Sequence, residues 1–359
     1  MENLIADVFE QIKDYRADEL PASVKITKNR IRQWVEQFDQ NDQIFILTEL
    51  KNIFSKRYCS KASVKKFLKA VIDKLTKDLK YNSAEDFLKK AFFLDLQPSG
   101  KSQKIMLKLL SEILLENYNF KIQNCGSIQK KHFVYIDDLL CTGNTLIQDI
   151  KEWCNSPYNK DKTNLEAIKD NTVEIIFAYV FIHDKNYQKK KAEMRYKIDE
   201  AISANHKMYR LMEIENNEGI SSSLDFVFPL ATDEEEIEKY KEKIVSQVDE
   251  YTKRYDSISP EEFYRTLGRP KDEELFTSPD NRNRFESIML KKGIDILNRS
   301  NTKVKNMRAL GFSLPSQKSF GFGTLCFTWR NIANNTPLVF WYAGGGFYPL
   351  FVKNQTNVL

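Results

Sequence analysis

Residues His132 to Ile150 read HFVYIDDLLCTGNTLIQDI. The opening apolar run, Phe133–Ile136, is long enough for a strand covered on both faces. Two carboxylates follow, Asp137 and Asp138. After Leu139 and Leu140 comes a short polar loop, Cys141-Thr142-Gly143-Asn144-Thr145. Leu146, Ile147, Ile150, Trp153 and Cys154 then recur at helical spacing. The expectation is strand, acid pair, loop and helix. Gly143 permits a backbone conformation closed to other residues and lets an anion come close. The unpaired amides and the dipole at the start of a helix favour negative charge, and Thr142 and Thr145 add hydroxyl donors. Cys141–Thr145 therefore suits one phosphate group. Ionised carboxylates only accept hydrogen bonds, so Asp137 and Asp138 suit two vicinal hydroxyls or a hydrated magnesium ion. Phosphate donors beside hydroxyl acceptors describe a site for a ribose 5-phosphate.

A second strand-loop-helix unit precedes this one. Ala91–Gln97, AFFLDLQ, reads as a strand. Pro98-Ser99-Gly100-Lys101-Ser102-Gln103 follows, and then a helix carrying Ile105, Met106, Leu109, Leu110, Ile113 and Leu114. The Gly-Lys-Ser string is not a nucleotide P-loop, because that motif needs a glycine five residues before Gly100 and Asp95 stands there. Beyond Trp153 a polar connector, Asn155–Asn171, leads to a strong strand, Val173–Ile182, ending at His183-Asp184. Strand, helix and strand in succession predict a mainly parallel sheet. Ligands in open sheets of this kind sit beyond the carboxyl ends of the strands, which puts His183 and Asp184 on the same edge as the loop. A phosphatase of the haloacid type needs Asp-x-Asp-x-Thr, which is absent. A response-regulator receiver places its acids after the first strand and lacks the Thr-Gly-x-Thr loop.

Phe133–Thr145 resembles the phosphoribosyl pyrophosphate (PRPP) binding signature of type I phosphoribosyltransferases: four apolar residues, two acidic, two mostly apolar, one small, then Thr-Gly-any-Thr. The resemblance implies an α/β fold, a mainly parallel sheet with helices on both faces. It also implies that Asp137 and Asp138 hold the ribose hydroxyls, are the catalytic acids, and meet magnesium indirectly through ribose or water. Cys141, Thr142, Gly143, Asn144 and Thr145 would wrap the 5-phosphate. Gly100, Lys101 and Ser102 would hold pyrophosphate with a tight turn, a point charge and a hydroxyl. His183 and Asp184 are candidate contacts to the acceptor.

The chain as a whole is similar to the phosphoribosyltransferase-like proteins of bacterial conflict and anti-phage systems, some linked to retrons. Trp34-Val35-Glu36-Gln37-Phe38, the Gly100–Gln103 loop and Asn334-Asn335-Thr336-Pro337 before Trp341 carry that likeness. It implies a defence effector with a partner protein or nucleic acid from its operon. The base-binding hood of the salvage enzymes has no counterpart before the first core strand.

Composition bounds the rest. The chain of 359 residues is 42% hydrophobic and 29% charged, as expected of a globular protein with more than one domain. Its net charge of +5 is too mild to demand nucleic acid. Five scattered cysteines favour a reducing cytoplasm over a disulfide framework. The three histidines show no zinc spacing. No membrane span and no export signal are expected.

Residues 1–85 are expected to form a helical accessory domain, with apolar stripes such as Leu47, Leu50, Phe54 and Tyr58. Residues 86–231 are the phosphoribosyltransferase-like core, with a last strand at Leu224–Leu230. Residues 232–311 are a helical segment, opened by a helix bearing Ile237, Tyr240, Ile244, Val248, Tyr251 and Tyr255. Residues 312–359 form a β-rich tail packed on the core, with a hairpin across Gly321–Tyr342. Lys189-Lys190-Lys191 belongs to a polar stretch, either a solvated helix face or a basic lid over the phosphates.

Overall fold

The computed structural model describes residues 1–19, 21–253, 261–300 and 302–353. It divides into two compact units, cut at Lys61/Ala62 and Ile214/Glu215. One comprises Ala62–Ile214, and the other joins Met1–Lys61 to Glu215–Leu359.

The unit Ala62–Ile214 is built on a four-stranded parallel sheet: β1 (Ala91–Phe93), β2 (His132–Leu140), β3 (Glu174–His183) and β4 (Lys207–Ile214), in that order. Strands β2 and β3 are buried almost end to end because helices lie around the sheet, which is why they read as unbroken apolar runs. β1 is shorter than AFFLDLQ promised. Its last ladder bond is Leu94 N–H to Val134 O, and the Gln103 side chain then takes the Leu96 and Gln97 amides (2.8 and 3.0 Å). A side-chain acceptor replaces the neighbouring strand, and the chain turns. β4 was not expected. As an edge strand it is half-exposed along most of its length and lacks an apolar run. The connector 155–171 contains a short helix, Asn164–Lys169, opened by a Thr163/Glu166 capping box.

The other unit is mainly helical. Glu2–Ile12, Lys28–Val35, Gln40–Arg57, Glu235–Thr252 and Pro279–Arg299 bury one core with the tail. Ile237, Tyr240, Ile244 and Val248 are buried as their spacing requires; Tyr255 lies outside the described residues. Pro279–Arg299, the longest helix described, lies within the expected helical segment, with Ser278 as its N-cap and proline at its first turn.

Two expected β elements differ. Leu224–Leu230 makes only an isolated bridge at Phe226, because Arg282 binds the carbonyls of Leu224 and Phe226 and Glu286 binds the Phe228 amide. An antiparallel hairpin exists, but at Met307–Arg308 and Gly311–Phe312. In the tail, Phe327–Thr328 pairs in parallel with Tyr58–Cys59, while Leu338–Phe340 is a 3₁₀ turn closed by Phe340 N–H to Pro337 O. The tail shares its core with these helices, around Phe54, Phe327, Phe340 and Phe351.

Candidate functional site

The parallel register aligns Leu139 with Phe181 and Leu140 with Ile182, so the carboxyl ends of β2 and β3 form one edge. At that edge Gly143 has φ +71° and caps the helix Asn144–Asn155 from outside, as the reading of Cys141–Thr145 requires. Ile147 N–H is the first amide bonded back, to Gly143 O at 3.2 Å, which leaves the first-turn amides of the helix directed at the loop. Cys141 and Gly143 are buried, whereas Asn144 and Thr145 are exposed.

The second loop has the same construction. Gly100 has φ +86° with open space around its Cα, and the helix Ser102–Tyr118 starts immediately after Lys101 without a side-chain cap. Lys101 is exposed. Ser102 turns inward and donates from Oγ to Asp137 Oδ1 at 2.6 Å. That bond joins the loop after β1 to the acid in β2, two features that sequence had placed in one site from separate motifs.

Asp137 and Asp138 are both buried. As consecutive strand residues they leave the sheet toward opposite faces. Asp137 Oδ2 accepts from Gln97 Nε2 (2.9 Å), and Oδ1 also accepts the Asp138 amide (2.9 Å). Gln97 Nε2 is also 2.7 Å from Tyr135 Oη, and Tyr135 donates to Asp149 Oδ2 at 2.8 Å. Burial, and then the neighbouring Asp138, push the Asp137 carboxyl up to about 7, against the pull of its three neutral donors. Burial likewise raises Asp149. Gln103 is fully buried, and its Nε2 has no partner although its Oε1 is doubly engaged.

His183 ends β3, is buried, and precedes the helix Asp184–Lys197; Asp184 accepts from Gln188 Nε2 within that helix. The helix crosses the Cys141–Thr145 loop. Asn186 Nδ2 donates to Cys141 O at 2.7 Å, and Lys190 Nζ donates to Asn144 Oδ1 at 2.6 Å. Of the two readings of the triple-lysine run, the lid fits Lys190 and the solvated face fits Lys189 and Lys191, which are exposed.

Sequence reasoning missed Gln97, Tyr135 and Asn186, and named Lys190 only within the triple-lysine run. Only Tyr135 carried a signal, since it lies two residues before Asp137 on the same strand face.

No cluster of three or more metal-ligating side chains occurs among the described residues. A magnesium ion still fits the donors present. Mg²⁺ takes one or two carboxylates and completes its shell with water and ligand oxygens, and the donors to Asp137 among the described residues, Gln97, Ser102 and the Asp138 amide, are neutral. All five cysteines are free and buried. No described helix is long and apolar enough to cross a membrane.

An open parallel sheet with two glycine-turned helix starts, one of them bonded to a buried acid within β2, is the plan of a phosphoribosyltransferase-like protein. The PRTase-CE family pattern matches residues 31–353, and the chain belongs to that family. No curated protein and no solved structure matches it.

Proposed function

We propose that this edge binds PRPP with magnesium and transfers its phosphoribosyl group to an acceptor. The observation that carries the reading is the Ser102–Asp137 hydrogen bond, which ties the loop suited to pyrophosphate to the buried acid of the strand that leads into the loop suited to a phosphate. In the proposed site Cys141–Thr145 takes the 5-phosphate, and Gly100–Ser102 takes the pyrophosphate. The bond between C1 of the ribose and the pyrophosphate oxygen breaks, and the electron pair leaves with pyrophosphate. A bond from the acceptor nucleophile to C1 forms, and the acceptor's proton passes to solvent or to a nearby base. Bound magnesium would neutralise charge on the departing pyrophosphate. Asp137 would offset positive charge on the ribose ring, which is electrostatic stabilisation in a water-poor setting. Asp138 would hold a ribose hydroxyl, and His183 and Asp184 would face the acceptor.

The likeness to conflict-system proteins supports a defence role, with a protein or nucleic-acid partner. A second reading has one observation in its favour: both oxygens of Asp137 are already engaged within the protein. A module that senses PRPP and regulates a partner needs binding without turnover. Calorimetry of PRPP with magnesium, paired with a pyrophosphate-release assay over candidate acceptors, separates the two. Binding with release marks the transferase, binding with no release under any acceptor marks the sensor, and absence of binding rejects both. Loss of phage protection in Asp137→Asn at unchanged protein level would support the defence role.

A further inference from the structure

The helix Asp184–Lys197 carries six basic and two acidic residues, and one of the six is placed unlike its neighbours. The Lys190 side chain is only 14% exposed. Its stem lies across Gly143 so closely that a Cβ built on that glycine would stand 2.6 Å from Lys190 Cγ. Its ammonium donates to Asn144 Oδ1, on the first residue of the loop helix, and pairs with Glu193. Glu193 also holds Lys197 at 2.5 Å. On the same helix Asn186 grips the Cys141 carbonyl, so the helix is fastened to both ends of the loop.

A lysine free to choose extends its charge into water. Here the charge is drawn in over amides that themselves favour an anion, and Glu193, the only acid that holds it there among the described residues, has a second lysine. We propose that Lys190 is a ligand for the phosphate monoester at Cys141–Thr145: on binding, its ammonium moves from Glu193 to a phosphate oxygen, and Glu193 keeps Lys197. The inference rests on the reading that this loop takes the 5-phosphate. It adds a charged residue that the loop motif does not contain.

The test is calorimetry on the full chain with ribose 5-phosphate, PRPP and inorganic pyrophosphate, each with magnesium. Lys190→Met keeps the stem that packs on Gly143 and removes the charge. It should weaken ribose 5-phosphate and PRPP by about 10- to 100-fold, the scale of one charge-assisted hydrogen bond, and leave pyrophosphate unchanged. Lys190→Arg should recover part of the loss. Equal binding of ribose 5-phosphate by Lys190→Met and the unaltered chain overturns the lysine's role and leaves the site reading standing. An equal loss for pyrophosphate overturns the assignment to this loop. Absence of binding of both sugar phosphates by the unaltered chain overturns the inference together with the site. Should Lys190→Met fail to fold, Glu193→Gln decides. Releasing Lys190 should tighten ribose 5-phosphate by about two- to fivefold, the scale of a partly exposed ion pair, and unchanged or weaker binding overturns the proposal.

Discussion

Two buried acids, Glu286 in the helical unit and Asp137 in the sheet unit, are held in opposite ways. In the helical unit Arg282 is fully buried, and its guanidinium meets Glu286 at 3.1 Å and Glu273 at 3.0 Å. Arg265 pairs with the other oxygen of Glu286 at 3.1 Å. Spare donors and acceptors there are taken by backbone groups of Leu224, Phe226 and Phe228. In the sheet unit the buried acid Asp137 meets only neutral donors, and its nearest charged neighbour is another acid. A buried acid matched by cations is held for structure, because breaking the match strands a charge. A buried acid without a matching cation is strained toward its neutral form, and such groups concentrate where a ligand brings the missing charge. The contrast sets the surroundings of Asp137 apart from those of Glu286 without any appeal to motif.

The strongest way to break the contrast is to strip the scaffold cluster of one of its two cations. Arg282→Met leaves Glu286 and Glu273 short of a partner and should cost about 3–5 kcal/mol. Urea unfolding followed by tryptophan fluorescence reads this well, since Trp34, Trp329 and Trp341 belong to that unit. A cost under about 1 kcal/mol would show that the cluster is not structural in this sense.

Asp137→Asn sharpens the other side. It should lower pyrophosphate release by about 10²-fold or more, with no comparable loss of stability. Unchanged turnover would remove Asp137 from the chemistry.

A third prediction concerns pH. The Asp137 carboxyl holds its proton to about pH 7 in the folded protein, whereas an unfolded aspartate releases it near 4. The folded state therefore binds more protons between these values. Its contribution is fully present below about pH 4 and is lost as pH rises through about 7. Urea midpoints should fall over that window in the unaltered chain, and the fall should be smaller in Asp137→Asn. A rise over the window in the difference between the two proteins would reverse the sign and break the contrast.

The sheet and both loops were legible because each depends on local chemistry. Buried strands need apolar runs, and a left-handed turn before a helix needs glycine at positions 100 and 143. The scaffold cluster was illegible because Arg265, Glu273, Arg282 and Glu286 gain meaning only from tertiary proximity. In one dimension they look like ordinary surface charges on a helix and a loop. The same cause explains the misread strand at Leu224–Leu230. Its apolar pattern was right for burial, but side chains of the Pro279–Arg299 helix satisfy its backbone where a neighbouring strand was expected. At the site, the acid pair was readable as a motif, yet the donors that tune it were not. Gln97 read as the last residue of a strand and Gln103 as the end of the Gly100 loop, so neither announced a side-chain role, and β4 escaped notice because an edge strand needs no apolar run.

The smallest effect tests the tuning directly. Ser102 Oγ donates to Asp137 Oδ1, and a hydrogen bond to the charged form lowers a carboxyl's pKa. Ser102→Ala removes that donor while burial and the Asp138 repulsion persist, so Asp137 should hold its proton to still higher pH, by less than about one unit. If the ionised acid is the active form, the acidic limb of the pyrophosphate-release profile should move to higher pH by the same amount, and Ser102→Thr should return it. Loss of release at every pH with no movement of the limb would mean that Ser102 serves the pyrophosphate alone. A limb that stays fixed with rates intact would mean that the charge state of Asp137 is set elsewhere. In that case neutral donors would not be what distinguishes this acid from Glu286.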